Sequence, residues 1–251
     1  MKPKKRLAQH FLTAKSVVRM LAEAADCEGK SVLEIGAGTG LVTRELAVRA
    51  KRVVAVELDK DLIPGLTDAV SDLKNVEVVH ADALKTSFDY PVVVGNIPYN
   101  LSSPLMVKLL GSNFKHAALM VQKEFAERLV AKPNDSSYGR LSVMVQAGSE
   151  VEIVGFVPAS CFTPEPKTDS ALIVLDKKKR FAVDAKLVNA LFQHKNQSVR
   201  KSLLNSRKFL GWDKAEASSF CAGLGALAAR RVRTLSLAEV ELVCKSFTRG
   251  S

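Results

Sequence analysis

The segment Glu34-Ile-Gly-Ala-Gly-Thr-Gly40 constrains this chain more than any other. It follows a short apolar run, Ser31-Val-Leu-Glu-Ile35, and precedes residues 41–50, which read as helix. A strand that turns through glycines into a helix is the opening unit of a parallel α/β sheet. Glycines allow a tight turn and let a ligand approach the backbone without Cβ interference. The spacing then excludes two ligand classes. The dinucleotide fingerprint G-x-G-x-x-G/A needs a small residue where this chain has Leu41. A phosphate-cradling P-loop needs Gly-Lys-Ser/Thr, and none follows.

The alternation continues downstream. Residues 16–25 read as an amphipathic helix, 52–58 as strand, and 59–69 as helix with Pro64 as an imperfection. Residues 76–80 and 91–95 read as the third and fourth strands. Residues 117–122 read as strand, 123–131 as helix, 141–147 and 151–157 as strand-like runs, and 171–175 as a last strand. Such order implies right-handed βαβ units in a Rossmann-like, mostly parallel sheet. The basic run Lys177 to Arg180 marks a boundary, and from Ala185 onward the pattern is helical. The expectation is an α/β domain over residues 1–179 and a small all-α domain over 180–251.

Charge distinguishes the two parts. The formal net charge is +11 and the pI about 9.6, which favours polyanionic partners. Residues 181–251 carry twelve Lys/Arg against five Asp/Glu. A second basic run, Lys2, Lys4, Lys5 and Arg6, opens the chain. The four cysteines form no CxxC pair and no Cys/His cluster, so structural zinc is not expected and a reducing compartment is. The basic N-terminus lacks the apolar core of a secretory signal, and no run of about 18 apolar residues exists. A cytoplasmic protein without a membrane span is the expectation.

Two acids follow the glycine loop in strand order. Glu57, with Leu58 beside it, ends the second strand about 20 residues past the loop, where a carboxylate can take ribose hydroxyls. Asp82, with Ala83, follows the third strand, within reach of an adenine amine. Either acid alone reads better as a solvated loop residue. Together with the loop they suit a ligand that has adenosine but no pyrophosphate. S-adenosyl-L-methionine is such a ligand, and its cationic groups favour an acidic surround.

Asn96-Ile-Pro-Tyr99 ends the fourth strand, where open sheets place their ligands. An adenine amine is a poor nucleophile because its lone pair is conjugated with the ring. Acceptors such as the Asn96 side-chain oxygen and the Ile97 carbonyl favour a pyramidal nitrogen, and charge stabilised only in the transition state raises rate. Pro98 stiffens the turn, and Tyr99 offers a face to a flipped base. Methyl transfer from a sulfonium needs no strong general base, which fits four scattered histidines, His10, His80, His116 and His194. As an isolated tetrapeptide, an ordinary Asn-Pro turn would explain the motif as well.

In order, Gln9-His-Phe-Leu12, Glu34 to Gly40, Glu57-Leu-Asp59, Ala81-Asp-Ala83, Asn96-Ile-Pro-Tyr-Asn100, Gln122-Lys-Glu124, Tyr138-Gly-Arg-Leu-Ser142 and the tract from Phe162 to Ser170 span most of the chain. With these motifs the sequence resembles the KsgA/Dim1 family of small-subunit ribosomal RNA adenine dimethyltransferases, in its archaeal form. The resemblance implies a class I methyltransferase domain that binds S-adenosyl-L-methionine through His10, Leu12, Glu34, Gly36, Gly38, Gly40, Glu57, Leu58, Asp82, Ala83 and Asn96. It implies catalysis by Asn96, Ile97, Pro98 and Tyr99, with Phe162 near the target base, although a core aromatic beside a turn describes Phe162 equally well. It implies a monomer that dimethylates the N6 amines of two adjacent adenosines near the 3′ end of small-subunit rRNA, within an immature small subunit. The C-terminal helices would grip RNA through Lys195, Arg200 and Lys201. The alternatives are an erythromycin-resistance-type enzyme acting on large-subunit rRNA, an assembly factor whose methylation is secondary, and a transcription factor that borrowed the fold.

Overall fold

The computed structural model describes residues 9–178 and 180–248. Lys2, Lys4, Lys5, Arg6 and Lys179, members of the two basic runs, lie outside the described residues. The chain divides into two compact units, Met1–Ala126 with Val151–Lys177, and Glu127–Glu150 with Lys178–Ser251. Residues 127–150 therefore belong with the C-terminal helices, which the single boundary expected at 179/180 does not anticipate.

The first unit begins with β1 (Phe11–Leu12) and α1 (Lys15–Ala24), followed by β2 (Ser31–Ile35), α2 (Leu41–Ala47), β3 (Arg52–Glu57), α3 (Ile63–Ala69) and β4 (Val76–His80). Next come β5 (Val92–Asn96), α4 (Ser102–Gly111) and β6 (His116–Gln122). Helices α5 (Lys123–Val130) and α6 (Arg140–Gly148) intervene before β7 (Ser149–Val157), β8 (Phe162–Thr163) and β9 (Ser170–Lys177). Seven strands form one sheet in the order β4-β3-β2-β5-β6-β9-β7. The pairs among β4, β3, β2, β5 and β6 are parallel, and β9 runs antiparallel to β6. Residues 32–35 and 92–95 are buried on both faces, as covered parallel strands require.

Connections from β2 run outward to β3 and β4 on one side, whereas β5 and β6 lie on the other. Between β2 and β5 the winding reverses, and a crevice opens at the carboxyl ends. Register sharpens it. Ile35 pairs with Val56 on one side and Gly95 on the other, so Glu57 and Asn96 each extend one residue beyond the last residue of β2. Gly95 is required by close approach, because a Cβ there would stand 2.7 Å from the Ile35 carbonyl oxygen.

Two expectations change. Residues 141–147 form helix α6 rather than a strand. Short apolar runs do not separate buried strand from buried helix by periodicity. The deciding signal is polar: Ser142 and Gln146, one helical turn apart, share a face. The Ser142 hydroxyl donates to the Arg128 carbonyl at 2.6 Å, and the Gln146 amide donates to the carbonyls of Leu129 and Ala131 at 2.7 and 2.9 Å. Helix α3 also starts later than expected. Pro64 lies in its first turn, where its missing N–H leaves no helical bond unmade.

The second unit packs α6 with α7 (Ala185–Phe192), α8 (Val199–Leu210), α9 (Lys214–Gly223) and α10 (Leu237–Thr248). Its core joins Tyr138 and Val143 to Leu187, Leu191, Leu203, Val240 and Val243. The starts of α7, α8 and α9 are capped by side chains. Asp184 accepts from Leu187 N at 2.7 Å, Ser198 from Lys201 N at 3.3 Å, and Asp213 exchanges bonds with Glu216 at 2.7 and 2.8 Å. The fully buried Tyr138 hydroxyl donates to the Leu235 carbonyl at 2.9 Å, and burial pushes its pKa up to about 12. No helix among the described residues is long and apolar enough to cross a membrane.

Candidate active site

A cavity of about 160 Å³ lies in the crevice. β2 and its loop contribute Ile35, Gly36 and Gly38, and β3 contributes Val56, Glu57 and Leu58. The turn after β4 contributes Ala81, Asp82 and Ala83, and the segment after β5 contributes Asn96 through Leu101. Gln9, His10 and Phe11 complete the lining. The sequence motifs thus converge although about 90 residues separate the first from the last.

The glycine loop is organised by the acid expected to face a ribose. Glu57 is buried, and its two carboxylate oxygens accept from Gly38 N at 2.9 Å and Asp59 N at 2.7 Å. One side chain therefore joins the loop after β2 to the turn after β3, and each oxygen keeps a further lone pair. Gly38 has a φ of +57° and lies under the Phe11 ring, which a Cβ would approach to 3.3 Å. Asp82 accepts from Leu84 N at 2.9 Å, capping a short 3-10 turn (Ala83–Lys85). The Lys108 ammonium, from α4, donates to the carbonyls of Ala83 and Leu84 at 3.1 and 2.6 Å.

Asn96 is fixed by its donor end. Its amide nitrogen donates to the His10 carbonyl at 2.8 Å, which leaves the side-chain oxygen as the acceptor it offers to the cavity. Segment 9–12 is tied down at further points. The Gln9 amide donates to Asp59 at 3.0 Å, and His10 Nδ1 donates to the Pro164 carbonyl at 2.6 Å. β1 pairs antiparallel with β8, Phe11 with Thr163 and Leu12 with Phe162. The His10 ring stacks on Tyr99, with centroids 5.5 Å apart and planes 26° from parallel. One face of Tyr99 is thus already covered, which the reading of an open stacking surface did not foresee. The Tyr99 hydroxyl shares a hydrogen bond with Ser170 Oγ at 2.8 Å. Burial raises the Tyr99 pKa, the charges of Glu124 and Asp169 add to that, and the Ser170 bond opposes it.

Four expected residues fall outside the cavity lining. Leu12 and Phe162 are 5% and 3% exposed and belong to the apolar core. Gly40 starts α2 and packs against Leu66. Glu34 is 1% exposed. Among the described residues its Oε2 makes no hydrogen bond of good geometry, and the buried Thr43 hydroxyl lies close enough to act on the carboxyl. Burial pushes the Glu34 carboxyl up to about 8, with the Glu57 charge adding and Thr43 opposing. Glu34 is thus a buried acid beneath the loop that burial biases toward its neutral form. In the second unit Lys195 donates to the carbonyls of Ser136 and Tyr138 at 2.7 and 2.9 Å. Its ammonium holds a loop, whereas Arg200 and Lys201 are exposed in the first turn of α8. The sequence reading missed Gln9, Phe11, Ile35, Val56, Ala81, Asn100 and Leu101. Most of these adjoin a recognised motif residue, and that adjacency was the available signal.

Known proteins share this arrangement. A family model for ribosomal RNA adenine dimethylases matches residues 1–235. A probable ribosomal RNA small subunit methyltransferase A from Pyrococcus abyssi is 44% identical over 213 residues, 84% of this chain and 79% of that protein. A ribosomal RNA small subunit methyltransferase A from Clostridium perfringens is 42% identical, covering 94% of this chain and 87% of its own length. Among solved structures, a dimethyladenosine transferase from Plasmodium falciparum superposes with a TM-score of 0.85 at 29% identity, covering 96% of this chain and 98% of its own. The 23S rRNA methyltransferase ErmE superposes with a TM-score of 0.69 at 27% identity, covering 95% and 99%.

Proposed function

This chain belongs to the ribosomal RNA adenine dimethylase family, and on that premise we propose that it dimethylates the N6 amines of two adjacent adenosines near the 3′ end of small-subunit rRNA. S-adenosyl-L-methionine is the methyl donor in this reading, and when bound it supplies an electrophilic methyl group on a sulfonium. The lining fits that group: a glycine loop open to close approach, a buried carboxylate at Glu57 with lone pairs to spare, and no phosphate cradle. Gly36, Gly38, Glu57, Leu58, Asp82 and Ala83 would hold it.

Asn96 carries the reading. With its amide nitrogen committed to the His10 carbonyl, its oxygen is an acceptor that needs no reorientation during reaction. Together with the Ile97 carbonyl it accepts the protons of the target amine and draws the nitrogen lone pair out of conjugation. Pro98 fixes the turn that presents that carbonyl. Tyr99, held by Ser170 and backed by His10, presents its remaining face to the flipped base. Arg200 and Lys201 take RNA phosphates in the second unit. The immature small subunit is the substrate, and the protein acts as a cytoplasmic monomer.

Small-subunit rRNA is favoured over large-subunit rRNA by the names of relatives at 40–44% identity, against 27% for the ErmE structure. The test is Asn96→Ala. Its expected result is loss of methyl transfer by about 10²–10³-fold with RNA affinity retained. Equal loss of both, or retained transfer, would count against the assigned chemistry.

A further inference from the structure

We propose that Phe156 and Lys123 form a stacking platform for an unpaired RNA nucleotide flanking the target adenosine. The proposal rests on the RNA substrate named above and adds a contact outside the cavity. β7 is the edge strand of the sheet, next to β9. Near its end Val154 and Phe156, two apart and hence on one face, are 45% and 55% exposed. A Phe held that far into solvent presents ring surface to a partner. The Lys123 ammonium stands over its ring, 5.1 Å from the centroid.

The pair lies at the same end of the sheet as the cavity. Lys123 directly follows β6, and its N–H donates to the Asp169 carbonyl at 3.0 Å. The preceding Gln122 pairs with Ser170, whose hydroxyl bonds Tyr99. The neighbouring strand residue Met120 pairs with Asn96. A short path therefore runs from the catalytic segment through Ser170 and Gln122 to the platform.

Charge at this end of the sheet is mixed: Glu124 and Asp169 act electrostatically on Tyr99, and Lys123 brings an ammonium to the platform. A base is uncharged and carries a π-face, and aromatic stacking tolerates every base. Flipping the target removes a stacking partner from its neighbours. Phe156 replaces that partner, and Lys123 strengthens the arrangement through its cation over the ring.

The test uses RNA with 2-aminopurine beside the target adenosine, whose fluorescence reports stacking directly. Wild-type protein is expected to quench it. Phe156→Ala should abolish the quenching and raise KM for RNA about tenfold, with KM for S-adenosyl-L-methionine and the thermal midpoint unchanged. Phe156→Trp should restore both RNA readouts, and Lys123→Met should weaken them partially. Unchanged RNA KM and quenching in Phe156→Ala would overturn the platform while leaving the enzymatic reading intact. A wild-type protein inactive on small-subunit RNA would overturn both.

Discussion

Replacing Glu34 by Gln should make the protein more resistant to alkaline pH. Glu34 is 1% exposed, its Oε2 has no partner among the described residues, and its carboxyl is pushed up to about 8 from an ordinary 4.5. The sign follows directly. Between those values the folded chain holds this proton and the unfolded chain releases it, so stability falls as pH rises across the window. The contribution is complete below 4.5 and lost as pH passes 8. Each unit of difference is worth about 1.4 kcal/mol, which gives a loss of about 3 kcal/mol by pH 7 and about 5 kcal/mol at the upper end. Gln has nearly the same shape, does not titrate, and brings N–H donors next to the Thr43 hydroxyl. Urea unfolding of both proteins at a series of pH values from about 4.5 to about 9 measures the difference, and ionisations common to both cancel. The variant's relative stability should rise steadily by those amounts, and its KM for S-adenosyl-L-methionine should stay near wild type. A flat difference curve, or a variant that loses ground as pH rises, would refute the neutral buried acid.

Lys108→Met should raise KM for S-adenosyl-L-methionine about tenfold with little change in kcat, because it releases the Ala83–Lys85 turn without touching Asn96; Arg at this position should recover part of the loss, and an equal fall in kcat would contradict a positioning role. Lys195→Met should lower stability by about 1–2 kcal/mol in thermal unfolding, with the salt dependence of RNA binding preserved, since two carbonyls lose their donor. Charge reversal at both Arg200 and Lys201 should do the opposite. RNA affinity should drop and the slope of log affinity against log salt should shrink by roughly 0.7–0.9 for each phosphate that is no longer neutralised, with thermal stability near wild type. Unchanged binding at two salt concentrations would remove these residues from the interface.

The parts of this architecture with local signatures were legible in the sequence. Parallel strands buried on both faces announce themselves as short β-branched runs, and the loop that reverses the winding is marked by its glycines. Glu57, Asp82 and Asn96 could be placed because each sits at the end of such a run. Pairings between distant segments were not legible. β1 and β8 are two residues each and lie about 150 residues apart, so nothing local marks Leu12 and Phe162 as partners in the core. The role of Lys195 was hidden for the same reason, because its acceptors at Ser136 and Tyr138 come from a segment that reads as part of the first domain. Helix α6 was missed through local ambiguity, since its apolar run suits a strand and only the turn-apart Ser142 and Gln146 disclose the helix. The burial of Glu34 was not legible either: a motif shows an acid beside a loop, whereas only the packing shows that water is excluded from it.

The central claim is that this chain dimethylates adenosine in small-subunit rRNA. Purified small and large ribosomal subunits lacking the modification, incubated with the protein and methyl-labelled S-adenosyl-L-methionine and then digested to nucleosides, test it most directly. The account predicts label in N6,N6-dimethyladenosine from small-subunit rRNA alone. Label confined to large-subunit rRNA, or to a nucleoside other than methylated adenosine, would contradict it.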